Sequence, residues 1–334
     1  MMNLKKKWLK RTGIVLLVIG LIMTPLILID RMFPFLFVTR IRNTIEITCD
    51  EDFAKYDFPG EGTEEDPIII SDLVIGTDNF RIAKAYRLVT IYGTSYHIII
   101  ENCHFIGGYS ALDIYSIGGS LTIRNNIFTG AEHYSGLDEQ FFTISIELEN
   151  LDNVYIHDNT FNGRTEQYLM IRDINNTIIE NNTMSSTDRR SGIEIAGCSN
   201  ITIESNSIQG YLYTCASAYI YIISNSIYEG DGYFYGLTID GVIYFEIIGN
   251  NLSKIPWYAV SISLYSSNGT IYHNTFLDNY LGSFSQALDD GYNCTWYSLS
   301  LLSGNYWSNI GVNTTYEIAG TAGSIDLYPL ANPL

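Results

Sequence analysis

A three-part pattern of apolar and polar positions repeats along the chain between about residues 100 and 307. Each copy has an apolar residue, a short pair that ends in Asn in eight of the nine copies, and a second apolar residue two places later, as in "VYIHDNTFNG" at 154–163. The polar column reads Cys103, Asn126, Asn159, Asn182, Asn206, Asn225, Asn250, Asn274 and Asn305. Most intervals lie near 23 residues. This period, with short alternating apolar runs, is typical of coils of a parallel β-helix.

The two apolar columns are predicted to point into the core and to stack on their own kind. Three places before the polar column stand Ile100, Ile123, Ile156, Ile179, Ile203, Ile222, Ile247, Ile271 and Leu302. Two places after it stand Phe105, Phe128, Phe161, Met184, Ile208, Ile227, Leu252, Phe276 and Trp307. We expect the Asn column to take the left-handed backbone conformation at a bend and to stack as an amide hydrogen-bond ladder. The asparagines are therefore predicted to be structural.

The repeat predicts an all-β chain with one parallel β-helix of about nine or more coils over residues 67–305. Residues 31–66 are predicted to be a juxtamembrane segment and N-terminal cap, and residues 306–334 a C-terminal cap. Caps are needed because the end coils would otherwise expose open sheet edges. The long interval between Asn126 and Asn159 accommodates an insertion at residues 131–140.

Charge is unevenly distributed along the chain. Residues 1–40 hold seven Lys/Arg and one acid, a net of +6, so the whole-chain value of −18 leaves −24 on residues 41–334. A basic segment at 1–11 precedes an uncharged apolar stretch within 12–30, which predicts a transmembrane anchor with a cytoplasmic N-terminus and an extracellular β-helix. A cleaved signal peptide is the alternative. The acidic body excludes nucleic acid as the expected partner.

Cysteines and glycosylation sequons are compatible with an extracellular location. Of the five cysteines, Cys198 and Cys215 are the pair nearest in coil geometry, and an odd count leaves at least one unpaired within the chain. Seven Asn-x-Ser/Thr sites are glycosylation candidates: Asn175, Asn181, Asn200, Asn251, Asn268, Asn293 and Asn313.

Both predicted caps resemble those of a known family. "FPGEGTEEDPIIISDLVI" at 58–75 and "SGNYWSNIGVNTTYEIAGTAGSIDLYPL" at 303–330 are similar to the opening and closing segments of NosD-like right-handed parallel β-helix proteins. These are common on archaeal surfaces. The resemblance implies a right-handed β-helix over roughly residues 45–330.

This chain departs from the family at the features that would imply a metal. Many relatives carry a loop suited to a cation before the final Tyr-Pro, but here that stretch has Glu317 as its only acid. The family's name comes from copper delivery, and the chain lacks the Met/His clusters that copper would require. We therefore predict neither a metal site nor a cofactor.

Acidic and basic residues on one outer sheet suggest a polysaccharide site, because pectin-degrading β-helices use such groups there. Glu147 and Glu194 are predicted to lie two coils apart, roughly 9–10 Å by strand spacing, near the upper end for inverting glycosidases. Glu149 and Arg172 are predicted to pair across adjacent coils. Glu147, Arg172 and Glu194 are thus candidate catalytic residues. The Gly-His-Gly and Arg-x-Lys motifs of polygalacturonase-like enzymes are absent.

Tyrosines suggest a binding surface instead. Several crowd into two coils, where an exposed aromatic row beside carboxylates would stack on sugar rings. Glu149, Asp240, Tyr213 and Tyr235 are the candidate ligand-binding residues. Three hypotheses follow for the body of the protein: a surface protein that binds polysaccharide or glycan without catalysis, a lyase or hydrolase acting on acidic polysaccharide, or a structural spacer of the cell envelope.

Overall fold

The computed structural model describes residues 40–42, 44–76, 87–130, 143–187, 191–229, 235–280 and 282–333. The predicted anchor at 12–30 and the insertion at 131–140 lie outside these ranges. Among the described residues, no helix is long and apolar enough to span a membrane. The anchor and the extracellular location stay predictions.

From Ile45 onward, each coil passes through three parallel sheets, named sheets 1, 2 and 3 in the order of visiting. Sheet 1 contains Ile45–Ile47, Arg87–Tyr92, Ser110–Tyr115, Ile144–Glu149, Gln167–Arg172, Gly192–Ala196, Tyr211–Cys215, Leu237–Asp240, Val260–Ile262 and Ala287–Asp289. Sheet 2 contains Ile68–Ser71, Ile98–Glu101, Leu121–Arg124, Asp152–His157, Asn175–Glu180, Ser199–Glu204, Ala218–Ile223, Ile243–Ile248 and Ser267–Tyr272. Sheet 3 includes Leu73–Gly76, His104–Ile106, Ile127–Gly130, Thr160–Gly163, Thr183–Met184, Ser207–Gln209, Ser226–Tyr228, Asn251–Ser253, Thr275–Leu277 and Tyr306–Trp307.

The remaining elements lie near the two ends. A short strand, Arg40–Arg42, comes first, and a 3-10 helix, Asp50–Lys55, follows the first strand of sheet 1. Phe53 of this helix is buried and packs against Tyr96. Near the C-terminus, Tyr316–Glu317 and Ile325–Asp326 form an antiparallel pair. Strands of the stack thus occur inside both segments predicted as caps.

The core is a set of stacked columns of like residues, which follows from the strict pairing of each strand with the next coil. The isoleucines from Ile100 to Ile271 in the first apolar column are buried. In the second column, Phe128 stacks on Phe105 at 4.9 Å and on Phe161 at 4.7 Å between ring centroids. Each such buried side chain contributes on the order of 2 kcal/mol through removal from water.

The predicted Ile column departs from the structure at its last position. Leu302 is 59% exposed, and Trp296 is buried near the end of the stack instead. The final interval, from Asn274 to Asn305, is longer than the usual period. Its extra residues form an exposed turn that contains Leu302, so the apolar position counted back from Asn305 falls on the turn rather than in the core.

The asparagine column forms a continuous hydrogen-bonded row at the corner between sheets 2 and 3. The Nδ2 of Asn159 donates to Asn182 Oδ1 at 3.0 Å, and Asn182 Nδ2 donates to Asn206 Oδ1 at 3.0 Å. The same contact recurs from Asn126 through Asn305. Each Oδ1 also accepts the backbone N–H of the preceding ladder residue, as between Asn182 N and Asn206. The row thereby satisfies backbone groups that the bend removes from the sheets.

The left-handed bend lies one residue earlier than the sequence predicted. Positive φ occurs at the residue directly before the ladder position, for example at Asn125 (54°), Asn181 (53°) and Ser224 (55°). The ladder asparagine itself must turn its side chain inward to reach its neighbours. The exposed residue that precedes it in the sequence adopts the left-handed conformation at the bend.

Ser224→Asn is expected to raise the free energy of unfolding by about 0.5–1 kcal/mol, because Asn tolerates the left-handed conformation better than Ser. Ser224 is exposed, so the larger side chain displaces nothing. Ser226→Asn, in the adjoining strand, is the control and should bring no gain. Equal denaturant midpoints for the Ser224 variant and the wild type would contradict the expectation.

Candidate functional site

The outward face of sheet 1 carries two columns of side chains that alternate with the core residues. The first outward column is in register across the strands: Asp113, Glu147, Met170, Glu194, Tyr213, Thr238 and Ser261. The second is likewise in register: Tyr92, Tyr115, Glu149, Arg172, Ala196, Cys215 and Asp240. Strand pairing therefore places chemically active groups at intervals of roughly 4.8 Å along the β-helix axis.

Two carboxylates, Asp113 and Glu147, lie on neighbouring strands of this face. Arg87 Nη1 lies 2.7 Å from Asp113 Oδ2, and Arg172 Nη1 lies 3.5 Å from Glu147 Oε1. Burial raises the pKa of Asp113, and Arg87 partly offsets this effect. Burial also raises the pKa of Glu147, and the neighbouring Asp113 raises it further. Two carboxyls with raised pKa values one strand apart are suited to proton transfer.

The predicted pairing of Glu149 with Arg172 is replaced by a different contact. The two residues are neighbours across the strand pair, but the guanidinium forms its described ion pair with Glu147. Glu149 is exposed, whereas the side chain of Glu147 is largely buried. The buried carboxylate gains more from a positive neighbour because less water competes for it.

Glu194 belongs to a separate group on the same face. Met170 stands between Glu147 and Glu194 in the column, so the two carboxylates are two strands apart. The Tyr211 hydroxyl donates to Glu194 Oε1 at 3.0 Å, and burial raises the pKa of that tyrosine, which keeps it a donor. Gly192 makes room for the Tyr211 ring, since a Cβ there would lie 2.5 Å from it. The three predicted catalytic residues thus form a pair, Glu147 with Arg172, and a distant Glu194.

Tyr213 and Asp240, two candidate ligand-binding residues, contact each other. The Tyr213 hydroxyl donates to Asp240 Oδ2 at 3.2 Å. Burial raises the pKa of the adjacent Cys215 thiol, so this cysteine is protonated at neutral pH and is a poor nucleophile.

Four aromatic residues border this face where the chain turns from sheet 3 into sheet 1. They are called the aromatic corner: Tyr235, Trp257, Tyr258 and Tyr280. Trp257 stacks on Tyr280 at 5.4 Å, and Tyr258 meets Tyr280 edge-on at 4.7 Å. Tyr235 contacts Trp257 at 6.4 Å. Trp257 is 41% exposed, so part of its ring is open to a ligand.

The crowded tyrosines do not form one row, contrary to the sequence expectation. Tyr213 lies on sheet 1 and Tyr235 at the aromatic corner, whereas Tyr219 and Tyr244 stack on each other along sheet 2 at 5.3 Å. Sequence proximity within a coil does not place residues on one face, because each coil passes through three sheets.

Sequence reasoning missed Asp113, Arg87 and Trp257. Asp113 could have been found by extending the column of Glu147 one coil toward the N-terminus. Trp257 lies in a turn between strands, where the repeat has no fixed spacing. The tertiary arrangement alone places it beside Tyr235.

The cysteines do not form the disulfide that the sequence allowed. All five cysteines are unpaired. Cys198 is buried at a corner, whereas Cys215 lies on the outward face, so their side chains do not meet.

Six of the sequon asparagines are exposed and Asn268 is half-buried; their glycosylation stays a prediction. Within the described ranges, no cluster of three or more His, Cys, Asp or Glu could hold a metal ion.

A comparison with protein families supports the class of protein. A family model for the right handed beta helix region matches residues 87–227. Together with the three parallel sheets, this match supports a parallel β-helix protein of the right-handed type. Neither the comparison with curated proteins nor that with solved structures gave a match.

Proposed function

We propose that the outward face of sheet 1 and the aromatic corner bind a polysaccharide or glycan chain without cleaving it. The observation that carries this proposal is the register of the two outward columns. This register places hydrogen-bonding groups along the β-helix axis over several coils, from Asp113 to Asp240. A linear polymer of sugar rings is the ligand class that matches a repeating row of carboxylates, guanidinium groups and phenols.

The aromatic corner adds the apolar component that sugar recognition uses. Rings of Trp and Tyr bury the apolar faces of sugars while their polar atoms stay hydrated. Trp257 is partly exposed and is held by Tyr280 and Tyr235, so the ring needs little reordering on binding. The two motifs at the chain ends further support a NosD-like type, with the β-helix outside the cell and the N-terminus as its anchor.

One observation favours a hydrolase as a second candidate. Asp113 and Glu147 are cross-strand neighbours, roughly 5 Å apart by strand spacing, which is close to the carboxylate separation of retaining glycosidases. Their raised pKa values suit a proton donor. The ion pairs with Arg87 and Arg172 favour a binding role, because the positive charges partly offset the rise in both pKa values and so oppose a proton donor.

A glycan array probed with the full chain tests the proposal, with Trp257→Ala as the diagnostic variant. We expect binding to at least one polysaccharide and at least tenfold weaker binding by the variant, because the exposed ring loses its contact with the sugar. Tyr292→Ala is the control, since Tyr292 is an exposed aromatic residue near sheet 2, and its affinity should not change.

The same samples separate the other two hypotheses. Release of reducing ends or unsaturated products, abolished by Glu147→Gln, would replace the binding function with catalysis. The absence of binding and of product on every glycan would contradict both and favour the structural spacer.

A further inference from the structure

We propose that the glycan bound by the outward face of sheet 1 is cationic, carrying free amino groups on its sugars; this inference rests on the proposed function. Among the residues that the structure describes, the face has an excess of negative charge. The outward carboxylates described there are Glu46, Asp113, Glu147, Glu149, Glu194 and Asp240, and the described guanidinium groups are Arg87 and Arg172. The negative net charge of these residues therefore favours a positively charged polymer.

Both arginines are already engaged by carboxylates. Arg87 pairs with Asp113 and Arg172 with Glu147. They offer a uronate polymer no unpaired positive charge, and its own carboxylates would meet the remaining acids at close range. Like charges brought together at an interface weaken binding. An acidic polysaccharide, the substrate expected for a pectin-degrading enzyme, is therefore disfavoured.

Four outward carboxylates have no cationic partner among the described residues. Glu194 and Asp240 accept hydrogen bonds from tyrosine hydroxyls, and Glu149 faces solvent beside Arg172. Glu46 is exposed at the first strand of the sheet. A bound ammonium group gives each of these carboxylates a charge-assisted hydrogen bond, which is roughly twice as strong as a neutral one.

One buried acceptor on these strands has no donor among the described residues. Gln167 is 9% exposed and hydrogen bonds to Tyr211, while its Oε1 accepts no hydrogen bond from any described group. An unpaired buried acceptor destabilises the state that contains it. An ammonium group, with three donors and no acceptor, is the sugar substituent that can supply such a donor.

The aromatic corner is compatible with the same ligand. Ammonium groups are attracted to the faces of Trp and Tyr rings, and the attraction grows as the contact is desolvated. Trp257 and Tyr280 present stacked rings beside the acidic face. An amino sugar therefore gains from both parts of the proposed site, whereas a neutral sugar gains only from stacking.

The test compares hexamers that differ only in the charge of their substituent. Titration calorimetry with the full chain would use β-1,4-linked glucosamine and α-1,4-linked galactosamine hexamers, their N-acetylated forms, and oligogalacturonate of equal length. We expect one amino hexamer to bind at least tenfold more tightly than its acetylated form, and oligogalacturonate not to bind. The affinity should fall with added salt.

Paired variants separate a built site from general attraction to an acidic protein. Glu149→Gln with Asp240→Asn removes two charges from sheet 1, and Glu204→Gln with Glu246→Gln removes two from sheet 2. The first pair should weaken amino-hexamer binding at least tenfold and the second less than twofold. Equal losses in both pairs would overturn the inference. So would equal affinity for acetylated and free-amine hexamers, although that result leaves the proposed function standing; no binding to any glycan ends both.

Discussion

Asn206→Leu is expected to lower the free energy of unfolding by about 3 kcal/mol or more. The Oδ1 of Asn206 accepts the backbone N–H of Asn182 at 2.9 Å and the Nδ2 of Asn182 at 3.0 Å. Its Nδ2 donates to Ile179 O at 2.8 Å and to Asn225 Oδ1 at 3.0 Å. Leucine has a similar size but makes none of these bonds, so buried donors and acceptors on both sides of the coil lose partners.

Denaturant unfolding followed by intrinsic fluorescence measures the loss, and Asn175→Leu is the matched control. Asn175 makes exposed contacts on sheet 2, with Asp152 Oδ1 at 3.1 Å, so its replacement should change stability by less than about 1 kcal/mol. If Asn206→Leu destabilises the protein no more than Asn175→Leu, the ladder does not stabilise the fold.

The variant Asn206→Asp is expected to make the stability of the protein depend on pH. A buried aspartate in the ladder would have a raised pKa, because burial disfavours its charge. A group with a raised pKa stabilises the fold below its unfolded pKa, and this contribution is lost as the pH rises through the folded pKa. The aspartate variant should therefore lose more stability at pH 7 than at pH 4. Asn206→Leu has no titrating group and should show no such difference relative to the wild type.

Trp307→Ala is expected to cost about 3–5 kcal/mol, because it opens a large cavity at the C-terminal end of the stack. Trp307 is fully buried between Phe276 and Tyr316, with ring centroids 4.0 and 3.9 Å away. Its Nε1 donates to Asp326 Oδ2 at 2.9 Å. Asp326 Oδ2 also accepts the backbone N–H of Asn305 at 2.7 Å, which ends the ladder. The variant therefore loses packing and one donor to a buried carboxylate.

Two further tryptophan variants separate these effects. Trp257→Ala removes the same side chain from an exposed position and should lower the free energy of unfolding by about 1 kcal/mol or less.

Trp307→Phe keeps the ring stack but removes the hydrogen-bond donor to Asp326. Burial raises the pKa of Asp326, and the Trp307 hydrogen bond partly opposes that effect. Without this bond the pKa rises further, so the loss in Trp307→Phe should be larger at pH 7 than at pH 4. Unfolding midpoints at both pH values measure this, and a pH-independent loss would contradict it.

The fold was predictable because one local rule repeats. Apolar residues at fixed offsets from Asn159, Asn182 and Asn206 indicate a buried side chain in each coil, and stacking identical coils is the arrangement that buries them all. The rule fails where the spacing changes. Leu302 keeps its offset from Asn305, but the lengthened last coil moves it to the surface. The left-handed bend was misplaced by one residue, since the pattern marks a corner without distinguishing its two residues.

The candidate site was predictable only in part. Register placed Glu147, Arg172 and Glu194 on one face, because the side chains of a strand alternate with a period of two. The choice of partner for Arg172 depends on how deeply each neighbouring carboxylate is buried. The aligned sequence positions do not show this depth. Trp257 and Tyr280 come together through turns of variable length.

The amino-acid sequence by itself determined the coil, its period, the inward columns and the amide ladder, because each depends on contacts between equivalent positions of adjacent repeats. The tertiary structure alone decided which outward groups meet: Arg87 with Asp113, Tyr211 with Glu194 and Trp257 with Tyr280. These contacts depend on side-chain reach, burial and the paths of turns. They vary from coil to coil even where the backbone repeats.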